Sequence, residues 1–141
     1  MLFKNILVPV DLSEKSLKAL RIAVDMIPRT EEARVTLLHV IEVIDGASDD
    51  EFAEFYEKLS KRAEKKMAAI AEEYSDEKLT IEKRIVLGKR VQKIVGFACE
   101  NENDLIILSS HKIEKLEPSE GWATISYRVG ILSPCPVLMV K

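Results

Sequence analysis

The chain has 141 residues, 21 Lys and Arg against 24 Asp and Glu, a formal net charge of −3, and 47% hydrophobic residues. This length suits one domain, spanning 1–141, and lets about 70% of the unfolded surface be buried. The apolar content excludes a disordered chain, the scarcity of Gly and Pro excludes a low-complexity one, and no run nears the ~18 apolar residues of a membrane span.

Ile6-Leu7-Val8-Pro9-Val10 is short, continuous and branched, the pattern of a strand buried on both faces. Either Asp11 or Ser13 suits the cap of a following helix. In that helix Leu17, Leu20, Val24 and Ile27 fall at helical spacing, Lys15, Lys18 and Arg21 lie off the stripe, and Pro28 is the stop. Val35 to Val40 predicts a second buried strand. A long amphipathic helix follows from about Asp50 to Tyr74, with Phe52, Phe55, Leu59, Ala63, Met67, Ile70 and Tyr74 as its predicted stripe. Glu54 with Lys58, and Glu57 with Lys61, stand at the favourable four-residue spacing on its wet side.

Leu79, Ile81, Ile85 and Leu87 then alternate with polar residues such as Glu82 and Arg84, which predicts a strand near a sheet edge. Gly88 permits a tight exit, and Val91, Ile94, Val95 and Ala98 predict a third helix. Asn101-Glu102-Asn103-Asp104 turns the chain into the wholly apolar strand Leu105-Ile106-Ile107-Leu108. A loop runs from Ser109 to about Glu120, where Pro118 opposes a helix. A shorter helix, roughly Trp122 to Leu132, leads through Pro134-Cys135-Pro136 into a last strand, Val137 to Val140.

This alternation predicts a single α/β domain, an open parallel sheet with helices on both faces. In such a sheet ligands bind beyond the carboxyl ends of the strands, where the strand order reverses. The candidate crevice is therefore built from Pro9, Val10 and Asp11, from His39 and Val40, from Gly88, and from Leu108, Ser109, Ser110, His111 and Lys112.

The tract Ile6-Leu7-Val8-Pro9-Val10-Asp11-Leu12-Ser13, the tract Asp104 to Leu108 and the ending Ser133-Pro134-Cys135-Pro136-Val137-Leu138-Met139-Val140 resemble the universal stress protein family, over the whole chain in element order and length. The resemblance implies a five-stranded, Rossmann-like sheet of order 3-2-1-4-5 that reverses between the first and fourth strands. Many members bind ATP with a glycine-rich loop, Gly-x2-Gly-x9-Gly-Ser/Thr, whose missing Cβ atoms let backbone N–H groups face the phosphates. Here the matching positions hold Ser109, Lys112 and Ala123, followed by Thr124, with one extra residue in the loop between them. Gly121 lies out of register, so only the hydroxyl of the motif survives. Side chains at Ser109 and Ala123 crowd a close backbone approach, and one flexible charge at Lys112 offsets that weakly. Asp11 and Val40 match positions that hold the base and ribose in ATP-binding members, although Asp11 equally suits a helix cap.

Two functional readings follow. In the first, the protein is a non-enzymatic, dimeric stress-response module with no expected cofactor, acting through a protein or small-molecule partner. In the second, it is an adenine-nucleotide sensor that takes ATP with Mg²⁺, or AMP, through an altered phosphate grip, with slow hydrolysis. The loop from Ser109 to Thr124 favours the first. A hydrolytic triad drawn from Ser109, Ser110, His111, His39 and Asp11 lacks a Gly-x-Ser-x-Gly elbow, and neighbouring strand-end side chains point oppositely, so no catalytic residue is expected. His39 and His111 without a cysteine or carboxylate cluster do not make a metal site. Cys99 and Cys135 are too few for a disulfide framework and are read as packing. Trp122 suits a binding surface or a helix anchor alike. Val137-Leu138-Met139-Val140 is an apolar strand at a sheet edge, which invites pairing with another chain. Relatives pair this strand antiparallel about a two-fold axis, so a homodimer through it is expected. Met1-Leu2-Phe3-Lys4 carries no basic-then-apolar leader; the expected location is cytoplasmic, with neither nucleic acid nor membrane as partner.

Overall fold

Short branched strands can bury both faces of a sheet only if the intervening helices return across them. In the computed structural model, which describes residues 3–28, 32–43, 49–110 and 125–141, the order is β1 (Asn5–Pro9), α1 (Glu14–Met26), β2 (Ala33–Glu42), α2 (Asp49–Tyr74), β3 (Leu79–Gly88), α3 (Arg90–Glu100), β4 (Leu105–Ser109), α4 (Ile125–Leu132) and β5 (Val137–Val140). Every strand pair is parallel and the sheet runs β3-β2-β1-β4-β5, the order that the family resemblance implies. Residue parity divides the core between the two faces. Ile6, Val8 and Val10 meet Ala19 and Leu20 of α1 with Met67 and Ala71 of α2. Leu7, Ile106 and Leu108 meet Val91 and Ile94 of α3 with Val129 of α4 on the other face. None of the described helices is long and apolar enough to cross a membrane.

Ser13, rather than Asp11, is the N-cap of α1, and its side chain accepts the Ser16 amide at 3.4 Å. The helix ends at Met26 because Ile27, the residue before Pro28, is held extended at φ −89 and ψ 120. In α2 the inward positions are Tyr56, Ala63, Met67 and Ala71, and Phe55 is 49% exposed. Of the predicted stripe, Ala63 and Met67 are buried and Ile70 and Tyr74 pack against the same cluster, whereas Phe55 stands about 100° round the helix from Tyr56 and so leaves the buried face. Glu57 and Lys61 form the expected pair at 3.3 Å.

β3 is an edge strand. Leu79 and Ile81 are buried, while Leu87 at its far end is 43% exposed, where the sequence had placed it inward. Glu82 pairs with Arg34 of β2 at 3.4 Å, and Lys83 and Arg84 beside it are exposed. Cys99 is also exposed, against the packing role expected of it, because the buried stripe of α3 is Val91, Ile94 and Ala98. Beyond α3, Glu102 takes the left-handed conformation (φ 52) and the Asn103 amide reaches back to the Ala98 carbonyl at 3.0 Å, closing the helix. The start of the last predicted helix, with Trp122, lies outside the described residues, as does the loop from His111 onward.

Candidate functional site

Strands β2 and β4 flank β1, and the chain leaves β1 by α1 over one face but leaves β4 toward α4 on the other, so the carboxyl ends of these strands open a gap between helices. A cavity of about 420 Å³ occupies it, within the roughly 300–1,000 Å³ usual for small-molecule sites. Its floor is apolar: Leu38 and Val40 of β2, Leu108 of β4, Ile94 of α3 and Ile125 of α4. Its polar groups are Asp11, Ser16, Arg90, Ser109, Ser110 and Ser126, with Pro9 and Val10 at the end of β1.

The turn after β1 is tightly specified. Leu12 adopts φ 68, a conformation that costs a non-glycine residue on the order of 1–3 kcal/mol. Asp11 compensates by accepting the Ser13 amide at 2.8 Å and the Ser13 hydroxyl, while the Leu12 side chain packs on the first core cluster. Burial pushes the Asp11 carboxyl up, but the hydrogen bonds from Ser13 outweigh it and hold the group below its ordinary value. The carboxylate is therefore charged at neutral pH. Any stability it adds is present above the unfolded-state pKa and is lost only as pH falls through the lowered one.

Seven of the predicted crevice residues, Pro9, Val10, Asp11, Val40, Leu108, Ser109 and Ser110, line the cavity. His39 and Gly88 do not. His39 lies between Leu38 and Val40 on the strand, so parity turns it to the opposite face. There its Nδ1 lies 2.9 Å from the Val10 carbonyl, which can only accept, so Nδ1 donates. Gly88 (φ 148) pairs with Glu42 on the edge strand, away from the reversal point. His111, Lys112, Ala123 and Thr124 lie outside the described residues.

Ser16, Arg90, Ile94, Ile125 and Ser126 were not placed in the crevice from sequence, because each reaches the cavity from a helix rather than from a strand end. The Ser110 and Ser126 hydroxyls are 2.8 Å apart, and Lys141 Nζ donates to Ser110 at 3.4 Å and to the Tyr127 hydroxyl at 3.0 Å. Ser109 donates to the Lys15 carbonyl, which ties β4 to α1. With His39 bonded to Val10 and Asp11 to Ser13, no serine–histidine–acid relay forms among the described residues. Among the described residues the geometry is that of a cleft with an apolar floor and one carboxylate and one guanidinium in its walls.

The sequence profile described as "Universal stress protein family" matches residues 2–141. The chain belongs to the universal stress protein family. Among solved structures, the hypothetical protein MJ0577 shares 32% identity, with 100% of this chain and 97% of that one covered and a TM-score of 0.84. The universal stress protein UspA from Lactobacillus plantarum shares 24% identity over 100% and 99% of the two chains, at a TM-score of 0.80. A family member from Arabidopsis thaliana, solved with AMP bound, is 17% identical over 98% and 91%, with a TM-score of 0.71. No curated protein matches the sequence significantly.

Proposed function

We propose that this universal stress protein is a non-enzymatic regulatory module that binds an adenine mononucleotide and works as a homodimer in the cytoplasm. The observation that carries the nucleotide reading is the cavity at the strand-order reversal, where the charged Asp11 stands beside an apolar floor formed by Leu38, Val40 and Leu108. Such a floor suits a flat heteroaromatic base, and an ionised carboxylate suits the hydroxyls of a ribose. That a relative of the same fold is solved with AMP bound supports this ligand class. A triphosphate is gripped weakly in this reading, because Ser109, Lys112 and Ala123 replace the glycines that would let backbone amides close on it.

Calorimetric titration of nucleotide-stripped protein tests this directly. AMP is expected to bind saturably, and ATP with Mg²⁺ no more tightly than AMP. Asp11→Asn keeps an acceptor for Ser13 but removes the charge, and should weaken AMP by roughly 10-fold. ATP binding tenfold tighter than AMP would restore the triphosphate sensor. Failure of every adenine nucleotide at millimolar concentration would leave a scaffold for a protein partner.

The dimer reading rests on β5. Among the described residues its outer edge has no strand partner, and Ile131, Leu132 and Leu138 on α4 and β5 are 72%, 59% and 38% exposed. Antiparallel pairing of two β5 strands would satisfy the open backbone groups and cover apolar surface about a two-fold axis. Sedimentation at micromolar concentration should give a dimer, and Leu138→Arg should shift it to monomer with the fold intact by circular dichroism. A monomeric wild-type protein sinks this part of the reading.

A further inference from the structure

The cavity wall contains a cation whose presence a neutral ligand does not explain. Arg90 opens α3, is half-buried, lines the cavity, and has no hydrogen bond or ion pair among the described residues. The carboxylate in the same cavity, Asp11, is engaged by Ser13 instead. The local charge is also unusual for a helix start. Lys89 is the N-cap and makes no side-chain capping bond, the first turn holds no acidic residue, and Lys93 lies one turn on. Helix N-termini carry partial positive charge and ordinarily attract Asp or Glu, so cations gathered there repel the dipole. Arg90 adds to that repulsion while losing part of its hydration to the cavity wall. An anion in the cavity relieves both.

We infer that Arg90 is the phosphate-holding residue of the crevice, and that it selects a nucleoside monophosphate over the free nucleoside. This rests on the adenine-nucleotide reading above and extends it to the group that replaces the missing glycine cradle. A guanidinium offers parallel donors that match two phosphate oxygens, a contact that needs no close backbone approach. The hydroxyls of Ser110 and Ser126 lie in the same cavity and can rotate to add neutral donors. One arginine compensates one phosphate well and an extended triphosphate poorly, which agrees with a weak ATP grip.

The test compares AMP with adenosine on wild type, Arg90→Gln and Arg90→Lys, by calorimetry at low and high NaCl. Wild type is expected to bind AMP roughly 10- to 100-fold more tightly than adenosine, and rising salt should erode only the AMP affinity. Arg90→Gln should bring AMP down to the adenosine level and leave adenosine unchanged, while Arg90→Lys should keep part of the preference. The thermal midpoint of Arg90→Gln should equal or exceed that of wild type, since a cation leaves the positive end of α3. A preference for AMP that survives Arg90→Gln, or equal binding of AMP and adenosine by wild type, overturns the assignment of Arg90 and leaves the adenine reading standing. Loss of adenosine along with AMP in a folded Arg90→Gln protein places Arg90 on the nucleoside and overturns it equally. If neither ligand binds wild type, both the adenine reading and the role of Arg90 fall.

Discussion

Replacing Leu7 by alanine is expected to lower the unfolding free energy by about 2–5 kcal/mol. Leu7 is fully buried on the central strand β1, between Ile106 of β4 and Thr36 of β2, in the core cluster that also holds Leu38, Val91, Ile94 and Val129. Covered by strands on both sides and helices above, the site has little room to collapse, so a cavity term adds to the lost transfer energy. Leu38, Val40, Ile94 and Leu108 belong both to this cluster and to the crevice floor. Ligand affinity should therefore fall along with stability, although Leu7 itself does not line the cavity. Met26→Ala, at a position 42% exposed, should change stability by less than about 0.5 kcal/mol. Urea unfolding of both variants decides the matter, and a Leu7→Ala loss below about 1 kcal/mol would mean that the cluster repacks freely.

Asp104→Ala should cost about 1–3 kcal/mol through a different mechanism. The Asp104 carboxylate accepts the Lys4 amide at 2.9 Å and the Asn5 amide at 3.1 Å, and its own amide donates to the Asn5 carbonyl at 2.9 Å. These bonds join the chain at the entries to β1 and β4, ninety-nine positions apart in the Asn5–Asp104 pair. Asn103 and Asn101 reinforce the junction through Asn5, with bonds of 3.0 Å to its side-chain oxygen and from its side-chain amide. Alanine would leave amides at a partly buried junction without their acceptor. Asp104→Asn keeps one acceptor oxygen and should recover part of the loss. Hydrogen exchange at Lys4 and Asn5 should speed up in Asp104→Ala, and unchanged protection there would refute the clamp.

The elements were legible because strands and helices here write their periods plainly. β1, β4 and β5 are unbroken branched runs, and Pro28 marks where α1 must stop. Strand order was not legible from periodicity, which says nothing about which strands neighbour each other; it came with the family resemblance. In α2 only Phe55 was misassigned to the buried face, because a large aromatic at near-helical spacing looks like part of the stripe. The face that packs on the sheet is set as much by Ala63 and Ala71, whose small side chains allow close approach.

The strand-end half of the crevice followed from the architecture: Asp11, Val40 and Leu108 to Ser110 come to the cavity simply by ending their strands. His39 was misplaced because position alone does not fix the face, whereas its flanking Leu38 and Val40 carry the parity that does. The helical half was missed, since a residue such as Ile94 or Ser126 reaches the cavity only once its helix has docked. One signal was available. Lys89 and Arg90 stand where a helix start normally places a cap or an acid, and that inversion pointed to Arg90.

The two margins of the sheet differ in what they would allow to be added to them. β5 offers four residues without a charge among them, whereas β3 carries Glu82, Lys83 and Arg84 along its outer run. A sheet with two receptive margins can extend without limit, each newcomer exposing a fresh site for the next. In the proposed dimer a second copy joining at β5 would use up the receptive margin of both molecules and leave only charged strands facing outward, so growth would end at two subunits. Neutralising the charges on β3 would remove that stop, and the expected product is a filament in place of a closed particle.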